Sequence, residues 1–188
     1  KRLKDNEISE IYAAITMHYI SPLMLRRDTL MVSLLLFCGL RRGELISLQV
    51  RDIDLESRKI LIKKETSKSN MNRTLPIHSI LFMHLKDYLQ ERKKLGLTTG
   101  FLFVSRNGDQ KLTEHGLKHW VKNLRKKSGV RFHLHQFRHT FACKLADVNV
   151  SALKIQKLMG HSDIRMTMKY TRSLRPEDME EDIGKISF

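Results

Sequence analysis

The sequence has few cysteines, few acidic residues and no long apolar run, and each shortage excludes a class of protein. Its 188 residues include two cysteines, Cys38 and Cys143, which lie within apolar helical patterns and lack the spacing of a zinc site or a disulfide framework. Both are therefore predicted to be buried free thiols of a reducing cytoplasm. The longest apolar run, Leu30 to Cys38 broken by Ser33, is too short to cross a membrane. No signal-peptide pattern opens the chain.

Basic side chains greatly outnumber the acidic ones. The chain carries 35 lysines and arginines against 20 acidic residues, a formal net charge of +15, and its pI is about 10.0. This balance indicates a polyanionic partner, because basic side chains that displace condensed counterions from nucleic acid gain affinity. Residues 176–188 carry five carboxylates and one lysine, so this tail has a net charge of −4 and residues 1–175 have +19. The tail is therefore predicted to lie away from a DNA-facing surface.

The spacing of apolar residues predicts a mainly α-helical protein with a small antiparallel β-sheet, an α+β fold. Helices are predicted within residues 8–15, 30–37, 80–95, 113–124, 135–146, 151–159 and 162–170. Short strands are predicted at 53–55, 59–63 and 73–77, with a polar loop at 65–72 between the last two. Thr113 and Ser162 are expected to begin helices, and Gly160 to end one. The sequence thus predicts one domain over 1–175, followed by a tail helix from Pro176.

The residues suited to chemistry lie mainly in the last third of the chain. There, H-Q-F-R-H at 135–139 is followed by G-H-S-D-I-R-M-T-M-K-Y at 160–170, which together supply histidines, an arginine and Tyr170. A tyrosine hydroxyl has an ordinary pKa of about 10, so it becomes a nucleophile only where cations and a base stabilise its oxyanion. Further cations stand upstream: Arg41 in G-L-R-R-G-E-L, and Lys68 five residues before Arg73.

In this order the motifs resemble the catalytic domain of the tyrosine recombinases, the phage-integrase family, over nearly the whole chain. Arg41 matches the arginine of the family's G-L-R-x-[SG]-E pattern, and Lys68 stands where the family has its β-hairpin lysine. The lysines that fit this spacing less well are Lys59, Lys63 and Lys64. The downstream matches are His135 and Arg138 in the H-x-x-R box, His161 in the motif that is L-G-H-S in the family, and Tyr170 nine residues later.

The resemblance implies a DNA breaking-rejoining fold and site-specific strand exchange through a 3′-phosphotyrosyl intermediate. Arg41 and Arg138 would bind the non-bridging phosphate oxygens, since a planar guanidinium fits a phosphate. Lys68 would protonate the leaving 5′-oxygen. The remaining roles are transfer of the tyrosine proton for His135 and a hydrogen bond to a phosphate oxygen for His161. No cofactor is expected, because the arginines take the place of a metal ion.

The resemblance also implies partners. Double-stranded DNA would be the substrate, and the protein would act as a homo-oligomer, a dimer on one site and a tetramer in the synapse. Family members usually carry an N-terminal core-binding domain that clamps the other face of DNA, and nothing in this chain resembles it. Because the sequence begins with lysine, it is expected to be a piece of a longer protein. The expected location is cytoplasmic and nucleoid-associated, in a bacterium, phage or mobile element.

Other residues are predicted to support this site. Glu44 is expected to pair with a buried arginine or cap a helix and so orient Arg41, and His139 to orient its neighbours. A metal site at His133, His135 and His139 is not expected, because no carboxylate or cysteine stands among them and a neighbouring arginine would repel a cation. The residues predicted to contact DNA, with a merely solvated basic face as the alternative, are Arg42, Lys118, Lys122, Arg125 and Lys126.

Two other functions remain open. The same constellation serves type IB topoisomerases, which relax supercoils, although the short hairpin, the G-L-R-R-G-E box and the chain after Tyr170 favour a recombinase. A non-catalytic regulator is the second alternative, because Ala152 to Tyr170 superficially resemble a helix-turn-helix. Only Asp163 and Arg165 are placed to read bases near the start of its second helix.

The acidic tail has a pattern of its own. Met179, Ile183 and Ile186 recur at spacings of four and three, which gives a short helix an apolar stripe that must be buried. Lying just beyond the tyrosine, such a helix is expected to dock on a neighbouring protomer, as tails in similar recombinases do. Packing on its own domain is the alternative.

Overall fold

The computed structural model describes residues 1–63 and 72–171, so Lys68 and the tail lie outside the described residues. Helices make up most of these ranges, which confirms the predicted mainly α-helical fold with a small antiparallel sheet. The helices in chain order are α1 (Asp5–Met17), α2 (Pro22–Cys38), α3 (Arg42–Ser47), α4 (Ser79–Lys94), α5 (Glu114–Ser128), α6 (Leu134–Asp147), α7 (Ala152–Met159) and α8 (Arg165–Thr171). No helix of the described residues is both long and apolar enough to cross a membrane.

Helix α2 forms the centre of the core. Leu34 and Leu35 on it are fully buried, because α1, α4 and α6 all pack against this helix. The sequence predicted the helix only from residue 30, and that start was wrong. The helix begins at Pro22, after the capping hydroxyl of Ser21. Arg27 obscured the pattern, since it is a buried charge in a stretch where apolar periodicity expects none.

A three-stranded antiparallel sheet has the strand order β1 (Ile53–Asp54), β2 (Lys59–Ile62) and β3 (Arg73–Pro76). Ile60 and Ile62 are buried, while the residues between and before them are exposed, which is the alternation of a half-buried strand. The predicted strands are confirmed, each ending one residue earlier than expected. Ile62 pairs with Arg73, which is the last pair of this ladder before residues 64–71, the range in the sequence that includes Lys68.

A second hairpin was not predicted. Strand β4 (Val104–Ser105) pairs with β5 (Gly108–Lys111) across a short turn that includes Asn107. The carboxylate of Asp109 accepts hydrogen bonds from the backbone and hydroxyl of Thr98, at 2.6 and 2.7 Å, which ties the hairpin to the segment after α4. These strands are short and lack apolar alternation, so their pairing depends on contacts that local pattern does not encode.

The C-terminal helices form a smaller apolar cluster around Tyr170. Its other buried members are Ala142 on α6 and two residues of α7, Ile155 and Met159. Gly39, which ends α2, lets α6 approach: its φ is +57°, and a Cβ there would lie 2.5 Å from the ring of Phe141. Both the backbone conformation and the available space therefore require glycine at this position.

The capping residues set the boundaries of the later helices. The Thr113 hydroxyl accepts a hydrogen bond from the Gly116 nitrogen at 3.0 Å, and Gly160 ends α7 with a φ of +61°. Both predictions are confirmed. The expectation that Ser162 begins the next helix was wrong. Helix α8 begins at Arg165, whose backbone nitrogen donates to the Asp163 carboxylate at 2.8 Å, so the charged acceptor takes the capping role.

Candidate active site

Arg138, on α6, is a buried cation of the candidate site. Only 3% of it is exposed, and its guanidinium joins two segments: Nη1 donates to the Gly39 carbonyl at 2.7 Å and Nη2 to the Met159 carbonyl at 2.5 Å. Burial, followed by the positive charges of Arg41 and Arg73, lowers the pKa of Arg138 to about 9. The guanidinium therefore still carries its charge at neutral pH.

Arg41 immediately precedes α3 and borders solvent, with 21% of its side chain exposed. Its backbone nitrogen and Nη1 donate to the two carboxylate oxygens of Glu44, at 2.8 and 3.0 Å. Its Nη2 donates to the Gly160 carbonyl at 2.9 Å. The G-L-R-R-G-E motif places Glu44 three residues after Arg41, the spacing of a capping box, so the motif fixes the direction of this arginine locally.

The carboxylate of Glu44 is fully buried and also binds an arginine that the sequence did not single out. Arg73, the first residue of β3, donates from Nη1 and Nη2 to its two oxygens, both at 2.8 Å. Burial alone would raise the pKa of Glu44, but the hydrogen bonds and charges of Arg73 and Arg41 outweigh it and lower the pKa to about 2. Both contacts expected of Glu44, a buried arginine and a helix cap, are present.

Tyr170, on α8, is 6% exposed and has two imidazoles near its ring. Its ring centroid is 5.2 Å from that of His139 and 6.3 Å from that of His161. The planes of Tyr170 and His161 are within 15° of each other, so these rings are nearly parallel. The structure thus brings the candidate nucleophile together with two of the three predicted histidines of the motif region.

His161 is buried at the start of the segment between α7 and α8. Its Nδ1 lies 2.8 Å from the hydroxyl of Thr167, a buried residue that the sequence analysis did not identify. Burial, followed by the positive charges of Arg138 and Arg41, lowers the pKa of His161 to about 4. This imidazole is therefore neutral at physiological pH and can donate from one nitrogen only.

His135 and His139 lie one turn apart on the outer face of α6. Desolvation, followed by the positive charge of Arg138, lowers the pKa of His135, which favours its proton-accepting form. The Nε2 of His139 is 3.7 Å from the sulfur of Cys143. A cysteine therefore does lie beside one of the three histidines for which no metal site was expected. The described residues nevertheless contain no group of three possible metal ligands.

Four of the basic residues predicted to contact DNA follow one face of α5, and the fifth, Arg42, is exposed on α3. On α5, the exposed members are Lys118, Lys122 and Lys126. At the first turn, Glu114 lies 3.6 Å from Nη2 of Arg42, and near the last turn, Nη2 of Arg125 lies 3.3 Å from Nδ1 of His133. Arg42 adjoins a site arginine and His133 directly precedes α6. The basic face therefore runs alongside the candidate site.

The expected catalytic lysine, Lys68, lies outside the described residues, as does Lys64. Lys63 binds the buried carboxylate of Asp52, with Nζ 2.7 Å from Oδ1. Lys59 pairs with Pro76, at the end of the β2–β3 ladder away from Arg73. The ion pair of Lys63 and the position of Lys59 do not favour either residue over Lys68 as the proton donor. The role of Lys68 stays a prediction.

Protonation of His161 is expected to destabilise the fold as the pH falls. The folded pKa is about 4, whereas an unfolded histidine has about 6.5. The unfolded state therefore binds more protons between these values, and stability rises with pH across that window. From pH 7 to pH 5, the wild type should lose on the order of 1 kcal/mol more than His161→Gln.

Thermal unfolding at the two pH values measures this difference. The control is His119→Gln, which removes an exposed histidine from α5 and should leave the wild-type loss unchanged. Equal losses in the wild type and in His161→Gln would contradict a buried, neutral His161.

Comparison with known proteins identifies relatives of the whole chain. Residues 1–176 match the model of the phage integrase family. The chain is 33% identical over 175 residues to the tyrosine recombinase XerC of Alcanivorax borkumensis, which covers 91% of this chain and 55% of that protein. It therefore spans about half the length of the curated relative it matches.

Solved structures share the fold. A crystal structure of XerA recombinase is similar with a TM-score of 0.77 and 24% identity, over 100% of this chain and 66% of that chain. The XerH site-specific recombinase, bound to a palindromic difH substrate in a post-cleavage complex, has a TM-score of 0.74 and 24% identity, over 98% of this chain and 53% of that chain. These similarities confirm the predicted tyrosine-recombinase fold. The chain belongs to the phage integrase family of tyrosine recombinases.

Proposed function

We propose that residues 1–175 form the catalytic domain of a site-specific DNA recombinase that acts through a 3′-phosphotyrosyl intermediate. The observation that carries this proposal is that the ring of Tyr170 lies near two imidazoles and packs with the end of α7, whose carbonyls bind Arg41 and Arg138. Family membership supports it, since the relatives are named recombinases and XerH was crystallised with DNA after cleavage. The part of XerC that this chain does not span leaves room for a core-binding domain.

The proposed cleavage is an in-line displacement at one phosphodiester. The Tyr170 oxygen attacks phosphorus, its proton passes to His135, and the bond to the 5′-oxygen breaks as Lys68 gives that oxygen a proton. The products are a 3′-phosphotyrosyl ester and a free 5′-hydroxyl. Because the ester retains the bond energy, attack by the 5′-hydroxyl of a partner strand rejoins the DNA without a cofactor.

The two arginines would stabilise the charge that develops on the non-bridging oxygens. Arg138 is held by two backbone carbonyls and Arg41 by a carboxylate and a carbonyl, so both are oriented before DNA arrives. His161 would add a hydrogen bond from Nε2, because a Thr167 hydroxyl that donates to Nδ1 fixes that tautomer. His139, whose ring contacts that of the tyrosine, would hold the nucleophile in place.

DNA would lie across the basic face of α5. The residues proposed to bind its phosphates are Arg42, Lys118, Lys122, Arg125 and Lys126. Phosphate contacts fix position and carry no sequence information, so this chain alone should bind duplexes with steep salt dependence and little selectivity.

A covalent adduct tests the proposed reaction. The chain is incubated with nicked duplexes of candidate sites, and the products are resolved under denaturing conditions. A protein–DNA complex that survives denaturation and leaves a free 5′-hydroxyl supports the proposal, and its absence on all duplexes contradicts it. Relaxation of a supercoiled plasmid without strand exchange would indicate a type IB topoisomerase instead.

A helix-turn-helix regulator fits the geometry less well. Helix α8 directs Thr167 and Tyr170 into the protein, where both are buried. The two residues placed to read bases, Asp163 and Arg165, are bound to each other at 2.8 Å. The helix that would enter a groove therefore presents few groups to DNA.

The proposed assembly uses an apolar groove beside the site. The groove has a volume of about 920 Å³ and lies between α1, α2, β3 and α6. Its principal apolar residues are Tyr12, Leu36, Phe37, Phe141, Leu145 and Val148. Phe141 and Leu145 also pack against the cluster that contains Tyr170, so one wall of the groove touches the surroundings of the nucleophile.

The proposed occupant of this groove is the acidic tail of a second copy. The stripe of Met179, Ile183 and Ile186 supplies the apolar side chains, and the net charge of −4 complements Lys144 at the groove. Docking in trans would link protomers into a dimer on one site and a tetramer in the synapse. It would also couple assembly to the placement of the tyrosine, because the groove shares a wall with its cluster.

Truncation after Arg175 is expected to weaken synapsis of two sites by about tenfold or more, while binding of one protomer to a duplex stays unchanged or strengthens. The truncation removes an apolar stripe together with a net charge of −4 that opposes DNA. Gel-shift stoichiometry and sedimentation on paired sites measure both effects.

A mixing experiment separates docking in trans from packing in cis. Ile183→Asp places a charge in the apolar stripe of the tail. Val148→Asp places a charge in the apolar groove, at a residue that is 70% exposed. Mixing the two variants restores one intact tail and groove contact only if the tail docks on another copy. Unchanged stoichiometry after truncation, or no recovery on mixing, would show that the tail packs on its own domain.

A further inference from the structure

Three consecutive carbonyls at the end of α7 each accept a hydrogen bond from a different arginine. Arg73 Nε donates to Leu158 at 3.0 Å, Arg138 Nη2 to Met159 at 2.5 Å, and Arg41 Nη2 to Gly160 at 2.9 Å. The last carbonyls of a helix lack intrahelical partners and carry partial negative charge, so they attract cations. The end of α7 thus binds three arginines: Arg41 and Arg138, which are candidates to bind phosphate, and Arg73.

The third arginine is turned away from a phosphate. The Nη1 and Nη2 fork of Arg73 is occupied by Glu44, and its side chain is 8% exposed. Its guanidinium also lies against the chain reversal after α7, where a Cβ on Gly160 would come within 3.0 Å of Nη1. Arg73 is therefore unsuited to substrate binding, although it touches the groups that hold Arg41.

Glu44 connects the two arginines. Its carboxylate is fully buried and is shared between the fork of Arg73 on one side and the backbone nitrogen and Nη1 of Arg41 on the other. A buried carboxylate must be neutralised by hydrogen-bonded cations. Without Arg73, Arg41 would be the remaining cation bound to Glu44 and would be drawn toward it, away from the Gly160 carbonyl and from a phosphate.

We infer that Arg73 is a positioning residue for the cleavage reaction: by neutralising Glu44 and binding the end of α7, it keeps the Arg41 guanidinium directed at the scissile phosphate. This inference rests on the proposed function. Arg73 also begins β3, so its bond to the Leu158 carbonyl anchors the start of this strand to α7.

The test is a double-mutant cycle on single-turnover cleavage of a nicked duplex. Arg73→Met should slow formation of the covalent adduct by about 100-fold, the size of effect seen when one stabilising donor is lost. Duplex affinity should change by less than about threefold, because Arg73 does not face DNA. In the Arg41→Ala background, Arg73→Met should add less than about threefold, since no positioned guanidinium remains.

A matched control separates positioning from simple loss of a buried arginine. Arg92 on α4 is 4% exposed and donates to the carbonyls of Leu102 and Thr99, at 3.0 and 2.7 Å, away from the site. Arg92→Met should lower the thermal unfolding temperature yet leave the cleavage rate of the folded protein within about threefold of wild type. If Arg73→Met does not fold, Arg73→Lys replaces it in the double-mutant cycle. The lysine keeps a positive charge beside Glu44 but lacks the paired Nη1 and Nη2 donors.

Two results would overturn the inference. Multiplicative effects of the Arg73 and Arg41 substitutions would show that Arg73 acts independently of Arg41. A cleavage rate unaffected by Arg73→Met or Arg73→Lys would show that it has no positioning role. Failure of the wild type to form any adduct would overturn the proposed function as well, so the two failures are distinguishable.

Discussion

Replacing Tyr170 by phenylalanine is expected to reduce formation of the covalent DNA adduct by about a thousandfold or more. The substitution removes only the attacking oxygen. The residue is 6% exposed, with its ring near two imidazoles and packed in the apolar cluster of α6 and α7, and phenylalanine fills nearly the same volume. Duplex affinity should therefore stay within about twofold of wild type. Denaturing electrophoresis of labelled nicked duplexes measures the adduct, and gel shift measures the affinity.

Other tyrosines provide the controls for this result. Tyr88→Phe changes a tyrosine that is fully buried on α4, and Tyr19→Phe an exposed one between α1 and α2. Both variants should cleave at the wild-type rate. A persistent adduct in Tyr170→Phe, or its loss in Tyr88→Phe alone, would place the nucleophile elsewhere.

Lys68→Ala and Arg138→Ala are expected to slow cleavage of an ordinary phosphodiester by about a hundredfold or more each, for different reasons. Lys68 is proposed to protonate the departing 5′-oxygen. Arg138 is proposed to stabilise charge on the non-bridging oxygens, and its buried guanidinium is oriented for this by two carbonyls. A bridging 5′-phosphorothiolate leaves as a thiolate without a proton, so it should rescue Lys68→Ala and leave Arg138→Ala slow.

Lys63, which directly follows β2, is the matched control. Lys63→Ala removes a side chain that binds Asp52, and the rates of this variant on the two substrates should keep the wild-type ratio. Equal rescue of Lys68→Ala and Arg138→Ala would mean that their roles are misassigned. Rescue of Lys63→Ala in place of Lys68→Ala would move the proton donor to Lys63.

Local spacing was sufficient to predict much of the fold. The short apolar run Ile60–Ile62 between polar turns identified β2, and the hydroxyl of Thr113 identified the start of α5. The start of α2 was missed because Arg27 is buried by a hydrogen bond to the Val104 carbonyl, 77 positions away. A residue that is satisfied by a distant partner disrupts the local pattern from which helices are predicted.

In the candidate site too, contacts between residues close in sequence could be predicted, whereas contacts between distant residues could not. The motif around Arg41 predicted that Glu44 would pair with a buried arginine or cap a helix, and the capping contact was predictable because it spans only three residues. It did not identify Arg73, which reaches Glu44 across 29 positions and the Leu158 carbonyl across 85. Thr167 was missed for a related reason: its hydroxyl matters only because α8 turns it toward His161.

The meeting of three guanidiniums at the end of α7 also limits what an incompletely folded copy can do. Arg41 follows α2, Arg73 begins β3 and Arg138 lies on α6. The three can therefore bind the carbonyls at the end of α7 together only when these segments are assembled. Local opening of the end of α7 would release all three in one event. A partly unfolded copy keeps its net positive charge and hence its attraction to nucleic acid. Under the proposed function, such a copy would lack the assembled arginines that cleavage needs, so cleavage would be confined to fully folded copies.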